Sequence, residues 1–375
     1  PGEGGTLGST ADGDFSLASG AVVHFRGDHA FDGDSSIAGG GTVDLDDGAA
    51  TVNCGYDVNG AGSETWISGA TVDFQIDPTS VGSSLRVTSG RANFKGTAKI
   101  TVDAVTLNSG TLDLVPDLDT ATYAQSGGTL TGDNTVTISG SGGKGLNGRA
   151  LNNPSGQTVI WSGGDIGVHA GAVIDNAGTW EAQTDDDLEY RIGATSSFKN
   201  TGTFAKTSGS AATRIYADFD NTGTVGAGTG IILFEYDMTN QSGGLVDIQP
   251  DGVIAVDGAL TNQGTLRQTQ TVDGSSVEFL HITNLSGGTD KYRGVVIDTT
   301  GAMGETTVSV QGNQTCAETG GSTVQRCFEI APTTAQEATI TFYYTDAEAN
   351  GNTVPDVYHW NGTSWDVMTF DSRDT

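Results

Sequence analysis

One short string constrains this chain more than anything else in it: Gly-Thr-hydrophobic, often with Asn just before. "DNAGTW" ends at Trp180, "FKNTGTF" at Phe204, "DNTGTV" at Val225 and "TNQGTL" at Leu266. Related strings start at Gly41 (GTVDL), Ala70 (ATVDF), Gly90 (GRANF), Gly110 (GTLDL), Gly128 (GTL) and Gly244 (GLVDI). From Gly178 to Gly264 the steps are 24, 21, 21 and 20 residues. From Gly41 to Gly128 they are 29, 20, 20 and 18, and the following gap of 50 has room for two irregular coils. A repeat of this period marks a solenoid, in which each unit buries its apolar face against the next.

Within a unit the apolar residues alternate, the period of a strand buried on one face. Val43 and Leu45 point inward while Thr42 and Asp44 point out, and the phase recurs in Val72/Phe74, Ala92/Phe94, Leu112/Leu114 and Val246/Ile248. Roughly ten to twelve coils at ~4.8 Å each give a rod of about 50–60 Å. The expected fold is all-β: a parallel β-solenoid (β-helix) of about 20-residue coils, followed by an antiparallel β-sandwich.

The Asn and Gly ahead of each strand suit a corner, where φ > 0 is tolerated best by these two residues. Asn176, Asn200, Asn221, Asn240 and Asn262 follow one another at steps of 24, 21, 19 and 22. Stacked, they would form a ladder of side-chain amides. With their corners, the strands between about residues 30 and 285 resemble the β-solenoid repeats of secreted bacterial adhesins and autotransporter-type surface proteins. That resemblance implies an exterior location and a structural or adhesive role, and it carries no catalytic residue across.

Composition agrees with a thin, repetitive fold. Gly is 57 of 375 residues, hydrophobics are 35% and charged residues 17%. Acidic residues outnumber basic ones 46 to 16, a formal charge of −30. Such a field repels nucleic acid and anionic membrane surfaces, so neither is expected as a partner. No apolar run is long enough for a membrane span. A start at Pro1 without Met reads as a processed product. Cys316 and Cys327 are expected to pair, leaving Cys54 over; with four sequons (Asn240, Asn284, Asn313, Asn361) this suits an exported, cell-surface protein.

Three segments are expected: an N-terminal cap or donated strand (1–30), the solenoid (31–285) and an Ig-like sandwich (286–375). The last has longer strands such as "GVVIDTTG" and "ATITFYYT", with an Asn361-Gly362 hairpin signal between Trp360 and Trp365. Through "TITFYYTDAEANG" and "YHWNGTSW" it resembles small β-sandwich modules that close large secreted bacterial surface proteins.

Several stretches carry chemistry on paper. Asp185, Asp186 and Asp187, with Tyr190 and Trp180 nearby, could serve acid–base work on a polysaccharide, although an exposed acidic turn is the plainer reading. Asp346, Glu348, Asn350 and Asn352 around Gly351 have part of a calcium-loop spacing, but Val357 stands where a bidentate Glu belongs. A column of outward Asp44, Asp73, Asp113 and Asp247 is a cation candidate, diluted by Asn93. His24, His29, His169, His281 and His359 lack metal-ligand spacing. The expected function is therefore non-enzymatic: an extracellular fibre or filament subunit joined to itself head-to-tail. A carbohydrate-active enzyme, or a binder of surface carbohydrate, is the alternative.

Overall fold

The computed structural model describes residues 9–10, 13–132, 134–141, 144–147, 150–190, 193–316, 324–351, 357–360 and 363–369. Among these the chain is all β, and no helix is long and apolar enough to cross a membrane. It winds into a parallel β-solenoid of about 12 turns. Each turn has three sides, called here faces A, B and C in chain order. Face A strands begin at residues 9, 29, 49, 71, 91, 111, 129, 150, 173, 197, 218, 238 and 260, so a coil takes about 21 residues.

Stacking is parallel and in register. On face A, Phe74 lies over Phe94 and Phe94 over Leu114; further along, Phe198 lies over Phe219. On face B, Trp180, Phe204, Val225, Val246 and Leu266 succeed one another. Like thus sits on like: Phe74 and Phe94 stack with ring centroids 4.3 Å apart, Phe198 and Phe219 at 4.8 Å. Each fully buried side chain of this kind contributes about 1.5–3 kcal/mol. One contiguous core runs the length of the shaft. Faces B and C merge where two long strands, Ile100–Leu107 and Leu118–Gln125, run straight through the corner between them.

The repeated string does not mark a single column. Thr42–Leu45 lies on face C, between Val22–Phe25 and Glu64–Ile67. Strands after Ala70, Gly90, Gly110 and Gly128 lie on face A, and those after Gly178, Gly202, Gly223, Gly244 and Gly264 on face B. The gap of 50 residues is therefore two coils plus a change of face.

The two corners also use glycine differently. Before face A, Gly90, Gly110 and Gly128 have φ of 73°, 79° and 74°. Before face B no positive φ occurs at Gly178, Gly202, Gly223, Gly244 or Gly264, nor at any ladder Asn. There the coils approach so closely that a Cβ on Gly202 would lie 2.0 Å from the carbonyl oxygen of Gly178. Crowding between coils, not handedness, excludes a side chain.

Residues 1–30 are not a separate cap where they are described. Asp14–Leu17 and Val22–Phe25 already form face B and face C strands of a coil, in register with Ser36–Gly39 and Thr42–Leu45. Their alternation explains it: Phe15 and Phe25 turn inward and meet Phe31, with ring centroids 4.9–6.0 Å apart.

At the other end, Thr265–Asp273 belongs to two structures at once. Its first half pairs in parallel with Leu245–Ile248, and its full length pairs antiparallel with Ala302–Gly312, which pairs in turn with Arg326–Pro332. A second small sheet, Val277–Phe279, Val295–Thr299 and Ala338–Phe342, meets the first through Phe328 and Phe342, 4.9 Å between centroids. The antiparallel part thus starts inside a solenoid strand, ahead of the expected boundary at 285. Lys291 clamps the last coil by donating to the carbonyls of Asp257 (3.0 Å) and Gly258 (2.8 Å).

Candidate functional site

The turn at Asp185–Asp187 joins a face B strand to a face C strand, and each carboxylate faces a neighbouring coil. Asp185 Oδ1 accepts from Lys206 Nζ (2.8 Å) and from the backbone N–H of Ala211 (3.1 Å). Asp186 accepts from the N–H of Gly164, one coil back. Asp187 accepts from the N–H of Arg214 (2.8 Å), while its own N–H donates to Asp165 (3.0 Å). The Lys206 bond, with those from the backbone, holds the Asp185 carboxyl below its ordinary range; burial pushes that of Asp187 up. The trio is a staple across three coils.

Trp180 is fully buried in the shaft and cannot meet a substrate. Lys206, which sequence reading did not single out, is equally buried and also bonds Thr184 O (2.7 Å) and Thr213 Oγ1 (2.9 Å). Its signal was present: in "TFAK" the alternation that turns Phe204 inward turns Lys206 inward too.

Carboxylates on backbone N–H groups of the next coil recur along the shaft. Asp28 accepts from Ala49, Asp77 from Ala98, Asp117 from Thr135 and Asp237 from Ala259, at 2.8–2.9 Å. These bonds are exposed, and a charged acceptor makes a stronger partner for the N–H than a neutral one. Much of the acidic excess therefore has a structural use.

The asparagines form a buried ladder. Nδ2 of Asn153, Asn176, Asn200, Asn221 and Asn240 donates to Oδ1 of the Asn in the next coil, ending at Asn262, over 2.6–2.8 Å. Each Nδ2 also donates to a backbone carbonyl at the face B strand of the next coil, as Asn200 does to Thr224 (2.9 Å). Asn153 was missed because no Gly-Thr-hydrophobic string of the same spelling follows it. Asn240 is fully buried in this ladder, which removes its sequon from any surface.

The outward Asp column does not exist as such. Asp44 is on face C, where it is buried between His24 and Ser68. Asp247 is on face B in a bidentate pair with Arg267, both contacts 2.9 Å. Asp73 and Asp113 do stack on face A with Asn93 between them. They line a depression of about 510 Å³, but Asp73 is bonded by Lys95 (2.7 Å) and Asn93 (2.6 Å), which lower its pKa, and Asp113 by Arg91.

In the calcium-like loop, Glu348 is taken up by Arg326 and the loop backbone. Its oxygens take Arg326 Nε (2.9 Å) and Nη2 (2.8 Å), and Oε2 also takes the N–H of Thr345 (2.8 Å). A guanidinium therefore sits where a cation would. Asn350 is exposed with φ 52°, and Asn352 lies outside the described residues. Among the described residues no three His, Cys, Asp or Glu side chains gather as a metal site. Cys316 and Cys327 form a disulfide, and Cys54 is buried. Trp360 and Trp365 face each other across an antiparallel strand pair, 5.3 Å between centroids, and Trp360 is 37% exposed. Comparison with protein-family models, curated proteins and solved structures finds no match for this chain.

Proposed function

We propose that this protein is a non-enzymatic extracellular structural or adhesive rod of the kind its repeats resemble in secreted bacterial surface proteins, and that it serves as a subunit of a surface fibre. The observation that carries the reading is the commitment of Asp185, Asp186 and Asp187 to three consecutive coils. Carboxylates that bond backbone N–H groups hold a shaft together and leave little for proton transfer. The disulfide between Cys316 and Cys327 agrees with an oxidising exterior.

Assembly through bare solenoid ends is restricted, because Ala302–Gly312 of the same chain covers the last face B strand. At the first coil, Asp14–Leu17 and Val22–Phe25 each pair on one side only among the described residues. A fibre would grow there, by addition of a strand to that edge. Negative-stain microscopy and light scattering over a concentration series test this. Rods joined head-to-tail, the first coil of one copy taking a strand from the next, with mass rising with concentration, are expected; pairs joined first coil to first coil, or single short rods at every concentration, would remove the fibre.

A further inference from the structure

Three tyrosines stand at the corner after face C in three successive coils. Tyr190 ends Leu188–Tyr190, Tyr216 follows Ala212–Ile215 and Tyr236 follows Gly230–Phe234. The Tyr236 ring lies 6.2 Å from both Tyr190 and Tyr216, edge to face with each. All three are partly exposed. The charges of Asp187, Asp218 and Glu235 act on this cluster. Arg214, the cation beside it, is paired with Glu235. Burial pushes the Tyr216 and Tyr236 hydroxyls up; Tyr216 bonds Glu235 and Tyr190 donates to the Gly193 carbonyl (2.7 Å), so the strip offers ring surface first.

We propose that this tyrosine strip binds a linear, uncharged polysaccharide laid along the shaft. Sugar rings have apolar C–H faces and a rim of hydroxyls, which match aromatic rings bordered by carboxylate acceptors. The rings run Tyr190, Tyr236, Tyr216 at centroid steps of 6.2 Å, comparable with the advance of one sugar unit, so neighbouring rings meet neighbouring sugars. Charge selects among glycans: a chain of net charge −30, with Arg214, the guanidinium beside the strip among the described residues, already paired, repels uronates and sulfated sugars. The inference deepens the adhesive reading and does not depend on fibre formation.

The test is affinity electrophoresis of the full chain in gels of neutral hydroxyethyl cellulose or of polygalacturonate, with titration calorimetry against cellohexaose and chitohexaose. Retardation in the neutral gel, heat with at least one neutral hexamer and no retardation by polygalacturonate are expected. Tyr236→Ala should weaken binding about tenfold and Tyr236→Phe by less than about threefold. Asp218→Lys should turn exclusion of polygalacturonate into retardation, which keeps the test open if Tyr236→Ala does not fold. Absence of binding to every neutral glycan, or undiminished binding by a folded Tyr216→Ala/Tyr236→Ala protein, would overturn the proposal. Rods seen by microscopy without glycan retention would sink this inference and leave the shaft standing.

Discussion

The Nζ of Lys206 lies 2.8 Å from Oδ1 of Asp185 across a coil boundary, with the lysine side chain wholly buried and the aspartate 38% exposed. Water reaches one partner only, so the two should respond unequally to mutation. Asp185→Asn leaves a buried ammonium with weaker partners and is expected to cost about 2–3 kcal/mol, discounted from a fully buried pair for the exposed side. Lys206→Met removes the charge and keeps the volume, and Thr213 still donates to Thr184 O (2.6 Å), so its cost should be smaller. Urea unfolding of both variants checks the order.

Acid should loosen the shaft in a definite window. Asp185 and Asp73 have folded pKa values below their unfolded ones, so their stabilisation is complete above the unfolded value of about 3.9 and is lost as pH falls through the folded values. Asp187 is raised and acts in the opposite sense: its penalty is present above its folded value and is relieved as pH drops through it. Thermal melts from neutral pH downward should show falling stability below the ordinary carboxylate range, with a shallower fall in Asp185→Asn.

The Asn ladder should be most sensitive at its middle. Asn200→Ala removes bonds to Asn176, Asn221 and Thr224 and is expected to cost about 2–4 kcal/mol. Asn200→Asp puts a carboxylate where a donor is required and should cost more at neutral pH than in acid. Asn262→Ala, at the half-buried end, should cost least. Equilibrium unfolding of the three variants gives the ranking.

Two glycines separate crowding from conformation. Gly202→Ala puts a methyl carbon 2.0 Å from a backbone oxygen and should prevent stable stacking, with a loss above about 3 kcal/mol. At Gly33 nothing lies within 4 Å and φ is not positive, so Gly33→Ala should be neutral or stabilise by about 0.4–1 kcal/mol. Melting temperatures of the two variants decide it.

Much of this shaft was legible in the text. Period-two alternation at Val43, Val72, Leu112, Phe204 and Leu266 marks inward positions, and all five are fully buried. The physical reason is local: a strand shows alternate residues to opposite sides whatever its neighbours do. Face assignment is not local. The same three letters, Gly-Thr-Leu, starting at Gly110 and at Gly264 lie on different sides of the triangle, because that depends on how many residues each corner consumes.

The candidate site divides the same way. Sequence by itself determined that Asp185, Asp186 and Asp187 are adjacent and that a coil near twenty residues recurs. Only the tertiary structure decided that Lys206, Gly164 and Arg214 meet those carboxylates, and that Tyr190, Tyr216 and Tyr236 share one corner. Their partners lie one or two coils away in the chain, yet coils stack only one strand spacing, ~4.8 Å, apart in space. Alternation fixes which side chains point inward; stacking alone fixes what each of them touches.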